Sequence, residues 1–264
     1  MKLKLTMPFT ATVLSLSIAL SLASHWADAA GARPTIILVH GAFADSTSWD
    51  KVSRRLIADG YTVIAAANPL RSVAGDSAYV SSIVKSIPGP VVLVGHSYGG
   101  NVISDAVADN KNVKSLVFVS GVAPDVGESA GDLVGKFPGS TLGPTLAPPV
   151  ALPDGGKDIY IEQSKYHAQF AADVPAKDAV LMAVNQRPVT DAALNEKGKG
   201  AAWKTLPSYF VYGTLDKNIP PAAHAFMAKR ANAKQTMVVM GSSHVVMLSH
   251  PLEVSKLIEK AATD

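Results

Sequence analysis

The chain has no cysteine among its 264 residues. That absence removes disulfides, thiolate metal ligands and a cysteine nucleophile together, so any chemistry rests on other side chains. Charge is sparse as well: Asp, Glu, Lys and Arg make up 17% of the residues, and the net charge of +3 is spread without a long basic run. A nucleic-acid binder needs a concentrated positive face, and none is encoded. Aromatics reach only 6% while apolar residues reach 48%, so the core is to be built from aliphatic side chains. The cofactor loops are missing too. No G-x-G-x-x-G follows a strand, and neither a G-x-x-x-x-G-K-[ST] loop nor an H-E-x-x-H helix is present, so no cofactor or metal is implied.

No apolar run is long enough to span a bilayer. Phe9 to Ala23 falls short of the ~20 residues required. Lys2 and Lys4 precede this run, and Ala27-Asp28-Ala29 offers a small-x-small cleavage site after it. Residues 1–29 therefore read as an export leader cut after Ala29, which predicts a periplasmic or secreted protein. Losing Lys2, Lys4 and Asp28 with the leader takes the net charge from +3 to +2 and changes nothing about partners.

The remainder, residues 30–264, suits one α/β domain. Short β-branched runs at Thr35 to Val39, Thr62 to Ala66, Val91 to Val94, Ser115 to Val119, Ser208 to Tyr212 and Gln235 to Met240 alternate with helical patterns. The helices are expected at Trp49 to Asp59, Ser77 to Ser86, Tyr98 to Asn110, Pro221 to Ala231 and Pro251 to Ala262, with Ser48 or Asp50 capping the first and Gly60 ending it. Continuous apolar strands between helices predict a mostly parallel six-stranded sheet covered on both faces. The alternation breaks between Pro124 and Pro207. An interruption of about 80 residues is too long for an ordinary connection, and amphipathic pieces at Asp158 to Ala171, Pro175 to Asn185 and Thr190 to Glu196 predict a helical cap over the ligand-binding edge.

Gly95-His96-Ser97-Tyr98-Gly99 fits G-x-S-x-G, directly after the strand Val91 to Val94 and before a helix. A serine on so sharp a strand-to-helix turn needs small neighbours, which Gly95, Gly99 and Gly100 supply. With His40-Gly41-Ala42-Phe43 after the first strand, Gly213-Thr214-Leu215-Asp216 after the fifth and Ser243-His244 after the sixth, the sequence from Thr35 onward resembles the α/β-hydrolase family. The order serine, acid, histidine is the family's. His-Gly-Ala-Phe followed by Trp49 is similar to small bacterial esterases related to plant methylesterases and hydroxynitrile lyases. One departure stands out, since the family's first two antiparallel strands have no counterpart in the pattern.

A serine hydroxyl becomes nucleophilic at neutral pH only when a base takes its proton, and His244, on a loop at the same sheet edge, is the candidate. His40, His96, His167, His224 and His250 are its rivals; His250 abuts Pro251 at a helix start and reads as structural. Asp216, ending the turn after the strand Ser208 to Tyr212, is the acid that would orient the imidazole, with Asp125 as runner-up. The resemblance implies that the backbone N–H groups of Ala42 and Tyr98 form an oxyanion hole and that Phe43 lines the pocket beside them. It also implies a carboxylic ester of small or medium size as substrate. Phe137, Tyr160, Tyr166, Phe170 and Trp203 are candidates to line the pocket from the cap. A carbon–carbon lyase, a cofactor-free perhydrolase and a non-catalytic ligand binder remain alternatives on the same fold.

Overall fold

The computed structural model describes residues 33–108 and 110–264. The expected leader, residues 1–29, lies outside the described residues. Strands are β1 (Thr35–Val39), β2 (Val63–Ala66), β3 (Val91–His96), β4 (Val113–Val119), β5 (Val150–Ala151), β6 (Lys157–Ile159), β7 (Val189–Thr190), β8 (Ser208–Gly213) and β9 (Gln235–Val239). The six long ones form a single sheet in the order β2-β1-β3-β4-β8-β9, and every pairing is parallel. They are the six strands expected from the sequence. β3 and β8 are buried at every position, which is why they read as unbroken apolar runs: helices cover both faces and no alternation is imposed.

The helices are α1 (Asp50–Ala58), α2 (Val73–Lys85), α3 (Gly99–Asp105), α4 (Ala130–Gly135), α5 (Gln163–Phe170), α6 (Ala176–Asn185), α7 (Asp191–Asn195), α8 (Pro221–Arg230), α9 (Val246–Ser249) and α10 (Pro251–Thr263). α1 packs on α10, which lies against β4 and β8, while α2 packs on α3, which lies against β1 and β3. Several ends differ from expectation for local reasons. A 3-10 turn, Ser46–Trp49, precedes α1, and the cap is Asp45, whose carboxylate accepts from Thr47 N at 2.8 Å; neither Ser48 nor Asp50 performs that role. α2 starts at Val73 because Ser72 caps Gly75 N at 3.0 Å. α3 stops at Asp105, whose carboxylate accepts from Lys199 N and Gly200 N of the insertion. Gly60, at φ +83°, closes the turn after α1, and Pro251 opens α10, both as expected.

The insertion is not purely helical. Beside α4 to α7 it carries a three-stranded antiparallel sheet, β5-β6-β7. Lys157–Ile159 is therefore strand where a helix from Asp158 was expected. Gly155, at φ +86°, turns the chain so that Leu152 N reaches the Gly156 carbonyl at 2.9 Å, a hairpin that sets β6 against β5. Asp158 is then held by Arg71 at 2.6 Å.

The sheet order grows outward from β1 in both directions, so the chain reverses sense between β1 and β3. Crevices at such switch points collect ligands at the carboxyl ends of the strands. Val39 pairs with Gly95 in register, which sets the loop after β1 beside the turn after β3.

Candidate active site

Each of the first four strands is followed by a non-glycine residue with left-handed backbone: Phe43 (φ 60°), Leu70 (φ 63°), Ser97 (φ 52°) and Ser120 (φ 42°). Such conformations cost about 1–3 kcal/mol each and persist where the surroundings over-determine them. At Ser97 they do. Its N–H donates to the Val119 carbonyl, and its own carbonyl accepts from Gly100 N at 3.0 Å and Val122 N at 3.1 Å.

Glycine is required around this turn because backbone presses on it from two sides. A Cβ at Gly95 would lie 2.5 Å from the Gly99 carbonyl oxygen, and one at Gly99 would lie 2.4 Å from that of Val39. Gly41 brings the loop after β1 against the serine, since a Cβ there would meet Ser97 Cβ at 2.6 Å. Ala42 N and Tyr98 N, the two amides that flank this contact, donate to no protein acceptor among the described residues. Phe43 N–H, by contrast, is committed to the Arg187 carbonyl at 3.0 Å. The Tyr98 side chain turns away and donates to the buried Asp76 at 2.9 Å, tying the turn to α2; burial pushes both the Tyr98 phenol and the Asp76 carboxyl up.

Asp216 and His244 meet in the interior. His244 Nδ1–H donates to Asp216 Oδ2 at 2.7 Å, and both side chains are almost wholly buried. Asp216 Oδ1 accepts from Asn218 N at 2.8 Å and Ile219 N at 3.0 Å, so the acid also caps its own turn. Burial alone would push the Asp216 carboxyl up, but the attraction of His244 and hydrogen bonds from His224 and His244 outweigh it and hold the group well below the usual carboxylate range. Ser97 and His244 line one cavity, yet no hydrogen bond joins them in this geometry. Nucleophile–base contacts of this kind commonly tighten only around substrate.

That cavity measures about 310 Å³. Ala42, Phe43, Val122, Val134, Leu142, Phe170, Leu194 and Ile219 supply most of its wall, and α4 contributes Gly131 and Gly135. Besides Ser97, His244 and Tyr98, its polar lining is Asn218, whose amide is already engaged with Gln169 at 3.1 Å. No lysine, arginine or carboxylate lines it. A larger cavity of about 470 Å³ lies beyond Phe43 and Tyr166 and is lined by none of Ser97, Asp216 and His244, so the candidate site is the smaller one. No group of three or more His, Asp or Glu side chains among the described residues could hold a metal ion.

The other sequence candidates separate clearly. Asp125 pairs with Lys204 at 2.5 Å on the surface and has no contact with His244. His40 Nδ1 lies 3.0 Å from the Gly41 carbonyl, His167 Nε2 lies 2.9 Å from that of Val174, and His250 Nδ1 lies 2.9 Å from Ser249 Oγ. His96, held well below its ordinary value by burial, packs its ring against that of His244 with centroids 4.8 Å apart and planes tilted by 53°, and reaches the His244 carbonyl at 3.2 Å, a support for the candidate base. Of the cap aromatics only Phe170 lines the cavity. Phe137 packs on Phe226, Trp203 donates to the Pro124 carbonyl, Tyr166 donates to the Phe43 carbonyl, and Tyr160 is absent from the lining.

Two features go beyond the sequence reading, in which His224 stood only as a rival base. His224, on α8, is a second imidazole on Asp216, with Nε2 3.1 Å from Oδ2; its one sequence signal is a histidine in the first turn of the helix that follows the acid. The second is the extent to which the insertion grips the site. Ser243 donates to Asp173, Gln169 Nε2 donates to the Lys217 carbonyl at 3.0 Å and to Asn218, and Tyr166 and Arg187 hold Phe43.

A family model described as "Alpha/beta hydrolase family" matches residues 36–257. The chain is 26% identical over 250 residues to an alpha/beta hydrolase of Aspergillus novofumigatus, covering 87% of this chain and 97% of that protein. It is 25% identical over 249 residues to an alpha-hydroxynitrile lyase of Arabidopsis thaliana, covering 86% and 96%. Among solved structures, that of polyneuridine aldehyde esterase is similar with a TM-score of 0.74 at 22% identity, covering 87% of this chain and all of that one.

Proposed function

The chain belongs to the alpha/beta hydrolase family, and from that premise we propose that it is a serine esterase acting on small to medium, uncharged carboxylic esters. The observation that carries the reading is the convergence at one apolar cavity of a strained serine, a histidine bound to a buried carboxylate, and two unengaged amides. In this reading His244 takes the Ser97 proton as the hydroxyl oxygen attacks the ester carbonyl, and the imidazolium is stabilised by Asp216. The oxyanion is received by Ala42 N–H and Tyr98 N–H. Collapse expels the alcohol, which takes the proton from His244. Water, deprotonated by the same histidine, then releases the acid and restores Ser97.

The apolar wall sets the substrate class. A charged acyl or alcohol group would have to shed water with no partner to replace it, a penalty of several kcal/mol. The likeness to a hydroxynitrile lyase supports a second reading, cleavage of a carbon–carbon bond with the same base. The absence of a lysine or arginine from the lining disfavours it, because a departing anion would find no fixed cation. Export through the leader-like residues 1–29 completes the proposal, and N-terminal sequencing of protein recovered from the periplasm or medium tests it.

The deciding experiment is hydrolysis of p-nitrophenyl esters, with fluorophosphonate labelling located by mass spectrometry. Label on Ser97 and a loss of several orders of magnitude in Ser97→Ala are expected. An alanine variant with undiminished turnover would remove Ser97 from the mechanism, and release of an aldehyde from a hydroxynitrile without ester cleavage would favour the lyase.

A further inference from the structure

Asp216 serves two histidines. One oxygen, Oδ2, receives His244 Nδ1 at 2.7 Å and His224 Nε2 at 3.1 Å, while the backbone donors Asn218 and Ile219 occupy only Oδ1. An ionised carboxylate accepts and never donates, so the contact is attractive only if His224 carries its hydrogen on Nε2. His224 cannot drift from this place. It is buried, and its ring stacks on Tyr212 with centroids 4.9 Å apart and planes 19° apart.

We propose that His224 is a positioning residue: its Nε2–H fixes the plane of the Asp216 carboxylate and draws off part of the charge with which that carboxylate holds His244. Two physical consequences follow. The backbone amides grip Oδ1 alone, so without His224 the oxygen facing His244 has a single donor and the carboxylate can turn about its Cβ–Cγ bond. Secondly, an acceptor divided between two donors binds each less strongly, so the His244 imidazolium is stabilised less than by an undivided carboxylate, and the proton passes more readily to the leaving alcohol. The groups facing His224 are Asp216 from the acid loop, His244 beyond it, the Tyr212 phenol from β8 and the backbone of Gly121. Burial, the largest influence on His224, lowers its proton affinity against the pull of Asp216, which keeps it a neutral donor and not a competing cation.

The inference rests on the esterase reading for its catalytic meaning, but its test does not depend on turnover. The full chain is labelled with 13C-histidine and the His244 resonance is titrated by NMR, alongside the pH profile of kcat/KM on a p-nitrophenyl ester. In His224→Leu, both the His244 midpoint and the acid limb of the profile should move up by about half a unit to one unit, a part of the worth of one hydrogen bond to a carboxylate. His224→Gln, which keeps an N–H donor, should return most of the shift. Should the leucine variant fail to fold, His224→Phe keeps the stack on Tyr212 without a donor and carries the same comparison. A folded donor-less variant with an unmoved His244 midpoint would overturn the proposal. Absence of hydrolysis by the wild type would overturn the esterase reading instead, leaving the NMR comparison to decide the coupling.

Discussion

Replacing Gly41 by alanine tests the contact on which the proposed oxyanion hole depends. The new Cβ would lie 2.6 Å from Ser97 Cβ, 2.7 Å from the His96 carbonyl oxygen and 3.2 Å from Tyr98 N. Carbon pairs rest at about 3.5–4.0 Å, so the loop after β1 and the serine turn must part by roughly 1 Å. Neither side yields cheaply. Ser97 is held at φ 52° by bonds to its amide and carbonyl, and Phe43 is fixed through Arg187 and Tyr166. The separation therefore falls on Ala42, between the two. A misplacement of 1 Å costs on the order of 100-fold in rate, and loss of one oxyanion donor costs about 10²–10³ in kcat. Gly41→Ala should lower kcat on a short p-nitrophenyl ester by about 100- to 1,000-fold while destabilising the fold by ~1–3 kcal/mol of overpacking. Steady-state kinetics with parallel urea denaturation separates the two effects. A folded variant whose kcat stays within a few-fold of wild type would refute the assignment of the Ala42 amide.

Two further outcomes are expected. Burial, the dominant influence, lowers His40 from 6.5 to about 4. The unfolded chain thus binds a proton at higher pH than the native protein, and the stability present above pH 6.5 is lost as pH falls toward 4, by up to about 3 kcal/mol. Urea midpoints at pH 7 and pH 4.5 should show the loss, and His40→Gln should flatten part of it; an unchanged slope would show that His40 is not responsible. Gly135 lines the cavity, and a Cβ there meets nothing within 4 Å. Gly135→Leu should accordingly raise KM for long-chain esters and spare acetate esters, which a chain-length series measures; identical profiles would place the substrate chain elsewhere.

The sheet was readable because its signal is local: a strand buried on both faces must be apolar throughout, and Val91 to Val94 could not be mistaken once Gly95-His96-Ser97-Tyr98-Gly99 followed it. Ser97, Asp216 and His244 lie where their order after the strands placed them, because a parallel sheet brings every strand's carboxyl end to one rim. The insertion was less legible. β5 and β7 hold two residues each and β6 three, too few for period-2 alternation to register, and Asp158 gave no sign of its distant partner Arg71. From the sequence His224 stood only as a rival base, and its bond to Asp216 was hidden for a related reason. Its meaning comes from a carboxylate eight positions earlier, across a turn whose geometry the sequence alone does not define.

The insertion's hold on the site limits how such a protein can change. Phe43 is fastened to Arg187 and Tyr166, the stretch after Asp216 to Gln169, and Ser243 to Asp173. Trimming or exchanging that segment would unfasten the loops that carry Ala42, Asp216 and His244 in one stroke. New substrate ranges on this scaffold are therefore to be sought by swapping single inward-facing side chains, with the length of the segment conserved like that of a keystone.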